Sequence, residues 1–412
     1  MRKNRFLPGG GQNIYLLILL FLIYSTVYMS KSIFTSAMAG IVEAGIMTKT
    51  QTGAISAAYW LFYAVFQIPG GLAADKFKPA HLITLGMVGA IAATLVIYFF
   101  PIYEVIIVAW VFNAIVQFGL WPSVFKIATT QMRPDMRKTA MFWLVFGTTF
   151  GFGGSLLLAS YMTHWLQNFQ TSVVILGSVL LLWLVSYPVL EKKMIEEDVP
   201  LPKMPNGTAP EKVGWKEMFK TGVWGLAIAA FLRTMVENGI KMLTPTMLME
   251  SYTGLPASIS TRLSVILAIF SFGGAILLKY FQKYITDNEA KGVAIILIIV
   301  IPLVAVVSLV GKIHYWWVLG LLCLILLFSG CIGPMTNSFC AGRFAKWGKS
   351  GTVAGFNNAL AALGNVGASY GLTIIAEKAS WSSVMWVCCG LLVITAIACV
   401  IIQKSWTKFI EE

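Results

Sequence analysis

Charge is scarce in this chain. Of its 412 residues only 11% are Asp, Glu, Lys or Arg, where a soluble domain carries about a quarter. That deficit excludes an ordinary water-soluble globule. Histidine is scarcer still: His81, His164 and His314 are the whole supply, each near the end of an apolar run. No Ser/His/Asp grouping is visible, so an enzyme is not expected. The six cysteines (Cys323, Cys331, Cys340, Cys388, Cys389 and Cys399) lie in apolar runs and form no CxxC pair. Neither a disulfide framework nor a metal site is expected from them, and they read as small buried hydrophobes. A GxxxxGK[ST] phosphate loop is also missing, which excludes an ATP-driven pump built on that motif. No cofactor is implied.

What the chain has in abundance is apolar length. Hydrophobic residues make up 58% of it, with mean hydropathy +0.79. Runs of about twenty apolar residues recur throughout, each long enough to cross a bilayer core as a helix. They are continuous instead of alternating, so helices and not a barrel are expected. Turn and charge signals divide them into twelve spans: 13–38, 53–74, 80–100, 103–129, 138–163 and 170–190, then 221–248, 257–282, 291–311, 315–341, 351–376 and 380–403. Between the two sets of six lies EKKMIEEDVPLPKMPNGTAPEKVGWKEMFK (191–220), charged and broken by Pro and Gly. It reads as a cytoplasmic linker with an amphipathic stretch near Trp215. The expected organisation is therefore an N-terminal bundle over 1–190, a linker over 191–220 and a C-terminal bundle over 221–412.

The basic residues set an orientation. Net charge is +13, but Lys and Arg sit between apolar runs and no basic domain is present to bind nucleic acid. With the N-terminus in the cytoplasm, most of the 30 Lys and Arg fall in inner segments, among them Arg2, Lys3, Arg5, Lys76, Lys78, Lys126, Arg133, Arg137 and Lys138. Outer loops hold only Lys49, Lys312 and Lys378. Both termini are expected on the cytoplasmic side of the inner (cytoplasmic) membrane.

ISAAYWLFYAVFQIPGGLAADKF (55–77) aligns without a gap to ISTRLSVILAIFSFGGAILLKYF (259–281), an offset of 204 residues. Two parallel halves of six spans, with a site near the midplane, form a plan used by secondary transporters. A few ionisable groups fall inside the spans. LRTMVENGIKMLTPTML (232–248) carries Arg233, Glu237 and Lys241 at successive fourth positions, hence on one face of a helix. Each such charge costs about 2.5–3.5 kcal/mol at mid-bilayer on insertion scales, so the three need partners or water. One reading makes Lys31 and Arg233 anion contacts and Glu237 a proton-coupling or cation-binding group. The other makes Arg233–Glu237 a structural pair, with Lys241 snorkelling to the outer interface. Among uncharged groups Gln117 and Asn358 are candidate substrate contacts, with Tyr63 and Trp143 as cavity aromatics. Asn113, Thr336, Asn337, Asn357 and Asn365 read as interhelical hydrogen-bonding groups.

GGLAADKFKP (70–79) resembles the loop motif between the second and third helices of the major facilitator superfamily. The resemblance gives Gly71 close helix contact and gives Asp75, Lys76 and Lys78 a cytoplasmic latch. Arg133, Arg137 and Lys138 on the next inner loop join that gating group. The Asp-basic-x-x-Pro form is similar to the organophosphate:phosphate antiporter family. NAIVQFGLWPSVFK (113–126), GIKMLTPTML (239–248) and GTVAGFNNALAALGNVGA (351–368) are similar to its fourth, seventh and eleventh helices. That family grips phosphate with arginines in its first and seventh helices. Here Lys31 stands at the first position and Glu237 at the second, while Thr148 stands where a fifth-helix histidine is usual. The resemblance implies an all-α fold of twelve helices in two six-helix bundles. It also implies alternating-access transport of a small organic anion, an organophosphate, carboxylate or zwitterion, with protons or phosphate as coupling ion and the carrier acting as a monomer. Export of an amphiphilic compound, or sensing of a sugar phosphate without transport, are the alternatives.

Overall fold

The computed structural model describes residues 2–162, 164–199, 214–310, 314–347 and 349–411. Twelve long helical rods dominate these residues. The first six are α1 (Gly10–Glu43), α2 (Lys49–Lys76), α3 (Pro79–Phe99), α4 (Tyr103–Thr130), α5 (Arg137–Tyr161) and α6 (Trp165–Lys192). The second six are α7 (Val223–Ser251), α8 (Ala257–Tyr284), α9 (Glu289–Val310), α10 (Tyr315–Arg343), α11 (Ser350–Val366, prolonged to Lys378) and α12 (Trp381–Glu411). Ten of the rods are long and apolar enough to cross a membrane. The other two, α2 and α7, are also of spanning length, at 28 and 29 residues, and carry polar or ionisable groups mid-rod.

These rods are helical because hydrocarbon supplies no partner for backbone N–H and C=O groups, which must then pair within the segment. Their outer faces stay apolar: Val108, Ile298, Leu309 and Ile401 are all more than half exposed, as a lipid-facing surface requires. Three rods are locally irregular. Helix α4 breaks at Gln117–Gly119 between Tyr103–Val116 and Leu120–Thr130. Helix α10 passes through a π turn at Met335–Phe339, directly after Pro334, and α11 through another at Gly367–Gly371. Proline and glycine weaken the i to i−4 ladder, and π turns recur at functional positions.

Contacts divide the chain into two compact units. One comprises Met1–Ala37 and Phe62–Gly207; the other comprises Met38–Leu61 and Thr208–Glu412. The core of the first joins Leu16, Leu20 and Ile23 of α1 to Met87 of α3, Val124 and Ile127 of α4, and Leu176 and Trp183 of α6. The core of the second joins Leu243 of α7, Leu267 of α8, Leu297 of α9, Leu322 of α10, Leu372 of α11 and Cys388 of α12. The six cysteines are free and buried.

The division does not follow chain position alone. A split at residues 190–220 assigns all of α1 and α2 to the first bundle, yet the C-terminal end of α1 and the N-terminal end of α2 group with the second unit. Side chains explain why. Lys49 donates to both oxygens of Glu250 (3.0 and 2.9 Å), to which the Trp381 indole also donates at 2.9 Å. The Thr50 N–H at the start of α2 donates to Glu377 (2.7 Å), and Ala257 N–H to Glu43 (3.1 Å). Gly53 lies so close to Ser369 and Thr373 that a β-carbon there has no room.

One element has no precedent in the sequence reading. Arg2–Phe6 and Ile195–Val199 form an antiparallel two-stranded ladder, with Lys3 opposite Asp198 and Arg5 opposite Glu196. Beyond it, linker residues 200–213 lie outside the described residues, and a short helix, Trp215–Lys220, leads into α7.

Candidate functional site

In the second unit the charges of α7 form one closed network. Arg233 Nη1 donates to Glu237 Oε2, and Lys241 Nζ donates to Glu237 Oε1 at 2.6 Å. Ser271 of α8 donates to the same Oε1 at 2.9 Å, and Lys241 also reaches the Ser271 hydroxyl at 3.1 Å. Arg233 lies against α10, with Nη1 3.5 Å from the Ser329 carbonyl oxygen. Gly333 makes room for it, since a β-carbon there would stand 2.8 Å from Nη1. The three side chains are only 11%, 7% and 16% exposed. Two cations and one carboxylate leave this buried stripe with a net charge of +1. Arg233 Nε has no hydrogen-bond partner among the described residues.

Arg233 and Glu237 pair as their spacing predicts. Lys241 departs from expectation: it turns back to Glu237 and Ser271 and does not run out to the interface. Helix geometry places it one turn beyond the carboxylate, and an ion pair in a nonpolar surrounding outweighs the reach to water.

In the first unit Lys31 of α1 is 7% exposed. Its Nζ stands 3.9 Å from the centroid of the Tyr28 ring and 5.0 Å from that of Tyr63. The aromatic faces supply a cation–π environment for the ammonium. The structure thus brings together Lys31 and Tyr63, both singled out by sequence, and adds Tyr28, one turn before Lys31 and legible from that spacing. Gln117 is 3% exposed and donates to Asn113 at 2.6 Å, one turn back, where the first segment of α4 ends. Trp143 packs edge-on to Phe21, Phe142 and Phe146 and keeps 42% of its surface exposed. Thr148 donates to the Val145 carbonyl of its own helix. Asn358 is exposed, whereas its neighbour Asn357 is buried and donates to the Thr336 carbonyl at 2.6 Å, holding α11 to the π turn of α10. Asn365 accepts from Asn238, tying α11 to α7.

The expected gating groups lie at the end of α2 and in and around the loop before α5. Gly71 and Asp75 belong to the last turns of α2, but their surroundings, like those of Lys138, lie outside what is described; Lys76 is exposed. Arg133 pairs with Asp135 in its own loop (2.7 Å) and holds that carboxyl below its ordinary range. Arg137 donates to the Met132 carbonyl. Lys126 of α4, one of the inner basic residues, donates at 2.6 Å to the Ala74 carbonyl at the end of α2. Two further groups were missed. Asn13 donates to the Leu7 carbonyl and accepts from Arg133 N–H, stapling the N-terminus to the loop before α5. Glu289, 1% exposed, accepts from Arg343 Nε (2.9 Å) and the Trp406 indole (3.0 Å). No spacing rule links positions so far apart in the chain.

Twelve spanning rods in two units, each holding buried cationic side chains, define a polytopic helical membrane transporter. The chain belongs to the Major Facilitator Superfamily, whose family model matches residues 20–369. It is 23% identical over 417 residues to a probable hexose phosphate transport protein of Chlamydia trachomatis, covering 94% of this chain and 89% of that one. Over 143 residues, 35% of this chain, it is 20% identical to the membrane sensor protein UhpC of Escherichia coli, 32% of whose length is matched. Among solved structures it resembles a bacterial homologue of the human lysosomal transporter Spinster in an inward-facing, unoccupied conformation. The TM-score is 0.77 at 16% identity, over 97% of this chain and 99% of that one. A mutant form of the nucleoside transporter NupG gives a TM-score of 0.68 at 14% identity, over 95% of this chain and 99% of that one.

Proposed function

We propose that the protein carries a small organic anion of the phosphorylated-metabolite class across the cytoplasmic membrane by alternating access, with both termini cytoplasmic. The observation that carries this reading is the placement of buried cations in equivalent helices of the two units, Lys31 in α1 and Arg233 with Lys241 in α7. Cations inside spans are costly and mark ion or substrate pathways. The full-length similarity to a hexose phosphate transport protein supports the phosphorylated class. Lys31 is the anion contact of the first unit, a point charge with the rings of Tyr28 and Tyr63 beside it; Arg233 and Lys241 are the cationic contacts of the second. Gln117, Asn358 and Trp143 are secondary contacts in this reading. Coupling runs through Glu237, by protons or by exchange for phosphate.

The test is flux of labelled inorganic phosphate and glucose 6-phosphate in proteoliposomes, wild type beside Lys31→Ala. Wild-type flux lost in Lys31→Ala is the expected result. Flux that survives Lys31→Ala removes that residue from the site, and silence with both anions removes the phosphorylated class. A second reading, a receptor for a sugar phosphate, has one supporting observation, the partial similarity to a membrane sensor. Saturable binding of glucose 6-phosphate without any flux would favour it.

A further inference from the structure

Glu237 is saturated. Its two oxygens take a guanidinium N–H from Arg233, an ammonium N–H from Lys241 at 2.6 Å and a hydroxyl from Ser271 at 2.9 Å. A phosphate or carboxylate arriving from solution would seek this same set of donors. The carboxylate that holds them is carried on the same helix, four residues from each cation, so it travels wherever they travel.

We propose that Glu237 is a tethered counter-anion that fills the cation pair of the empty carrier, so that the carrier returns unloaded and transport is net instead of restricted to one-for-one exchange. The proposal rests on the anion-carrier reading above. Its physical basis is the cost of an unpaired cation in a water-poor protein interior. A carrier that changes sides must pass its site through a closed state. With both cations of the α7 stripe bare, that passage is strongly opposed unless an anion rides along, and only loaded carriers cross. With Glu237 in place, the stripe of the empty carrier holds a net charge of +1 instead of +2, and Arg233 Nη1 and Lys241 Nζ each keep an anionic hydrogen-bond partner.

The same arrangement makes Glu237 a competitor. Cargo binds only to the fraction of carriers in which the carboxylate has let go of a cation, and apparent affinity falls by that fraction. Glu237→Gln removes the competitor and leaves both cations without compensation. It is expected to bind anion about tenfold more tightly, to keep exchange, and to lose net efflux. A residue of merely structural importance would lose all three together.

The experiment uses the full chain in proteoliposomes loaded with labelled phosphate or glucose 6-phosphate. Efflux is measured into anion-free medium and into medium containing the unlabelled anion. Wild type should empty at comparable rates in both media, whereas Glu237→Gln should empty only against external anion. Glu237→Asp retains the charge but is one methylene too short to span both cations, and should fall between them. In parallel, phosphate binding to the purified proteins is followed by thermal shift. Wild-type efflux that requires external anion overturns the proposal, as does equal loss of both modes in Glu237→Gln or phosphate binding that the variant leaves unchanged or weakened. Wild-type silence in both modes counts against the anion-carrier reading itself; tightened phosphate binding by Glu237→Gln would even then uphold Glu237 as the occupant of the cation pair.

Discussion

For single residues, burial decides which charge pairs matter. Arg133–Asp135 and Arg343–Glu289 look alike as pairs, yet the first is exposed on both sides and the second ends on a carboxylate 1% exposed. Exposed pairs contribute about 0–1 kcal/mol. Removing one partner of a buried pair costs about 3–5 kcal/mol because the other charge is left unpaired. Arg343→Met should therefore lower the unfolding temperature of the detergent-solubilised protein by several degrees, while Arg133→Met changes it little. Equal, small effects of the two would show that Trp406 alone satisfies Glu289. The stripe on α7 was legible as a pattern because i, i+4 spacing is local. The partner Ser271, the seat on Gly333 and the inward turn of Lys241 were not, because they depend on how α8 and α10 lie against α7.

Between helices, close approach depends on where a side chain is absent. Gly364 of α11 sits against the backbone of α7 at Phe231 and Met235, and Gly367 against the Met235 side chain. Without a hydrophobic driving force between helices in lipid, such small-residue contacts hold the rods together. A β-carbon on Gly364 would collide with the Phe231 carbonyl oxygen. Gly364→Leu should therefore force α7 from α11 and shift fluorescence-detected size exclusion from a single sharp peak towards aggregate. Gly355, on the same helix with open space around it, serves as the control, and Gly355→Ala should leave the profile unchanged. The Asn238–Asn365 and Asn357–Thr336 hydrogen bonds add polar ties to the same helices. The twelve rods themselves were readable from apolar length to within a few residues at most ends. The π turns of α10 and α11 were not, since Pro and Gly mark weak points in a helix without fixing how each is accommodated.

For the molecule in its membrane, the distribution of Lys and Arg makes a direct prediction about orientation. A green fluorescent protein fused after Glu412 should be bright, and alkaline phosphatase fused there inactive, because both termini are expected on the cytoplasmic side. Active phosphatase would invert the assignment of every loop. The ladder between Arg2–Phe6 and Ile195–Val199 agrees with a common side for the N-terminus and the end of α6, as does the even number of rods between them.

Read as a string of residues, the chain already specifies a twelve-helix membrane transporter with a few costly charges in its spans. Apolar length, basic-residue asymmetry and helical spacing are local properties to which hydrocarbon and water respond directly. Folding in three dimensions was needed to settle the rest: that residues 38–61 group with the second unit, that a basic N-terminal strand pairs with an acidic one near residue 197, and that Glu237 answers both Arg233 and Lys241. Those facts turn on contacts between segments far apart in the chain or on the choice among partners within reach. Charge and spacing restrict that choice, but packing makes it.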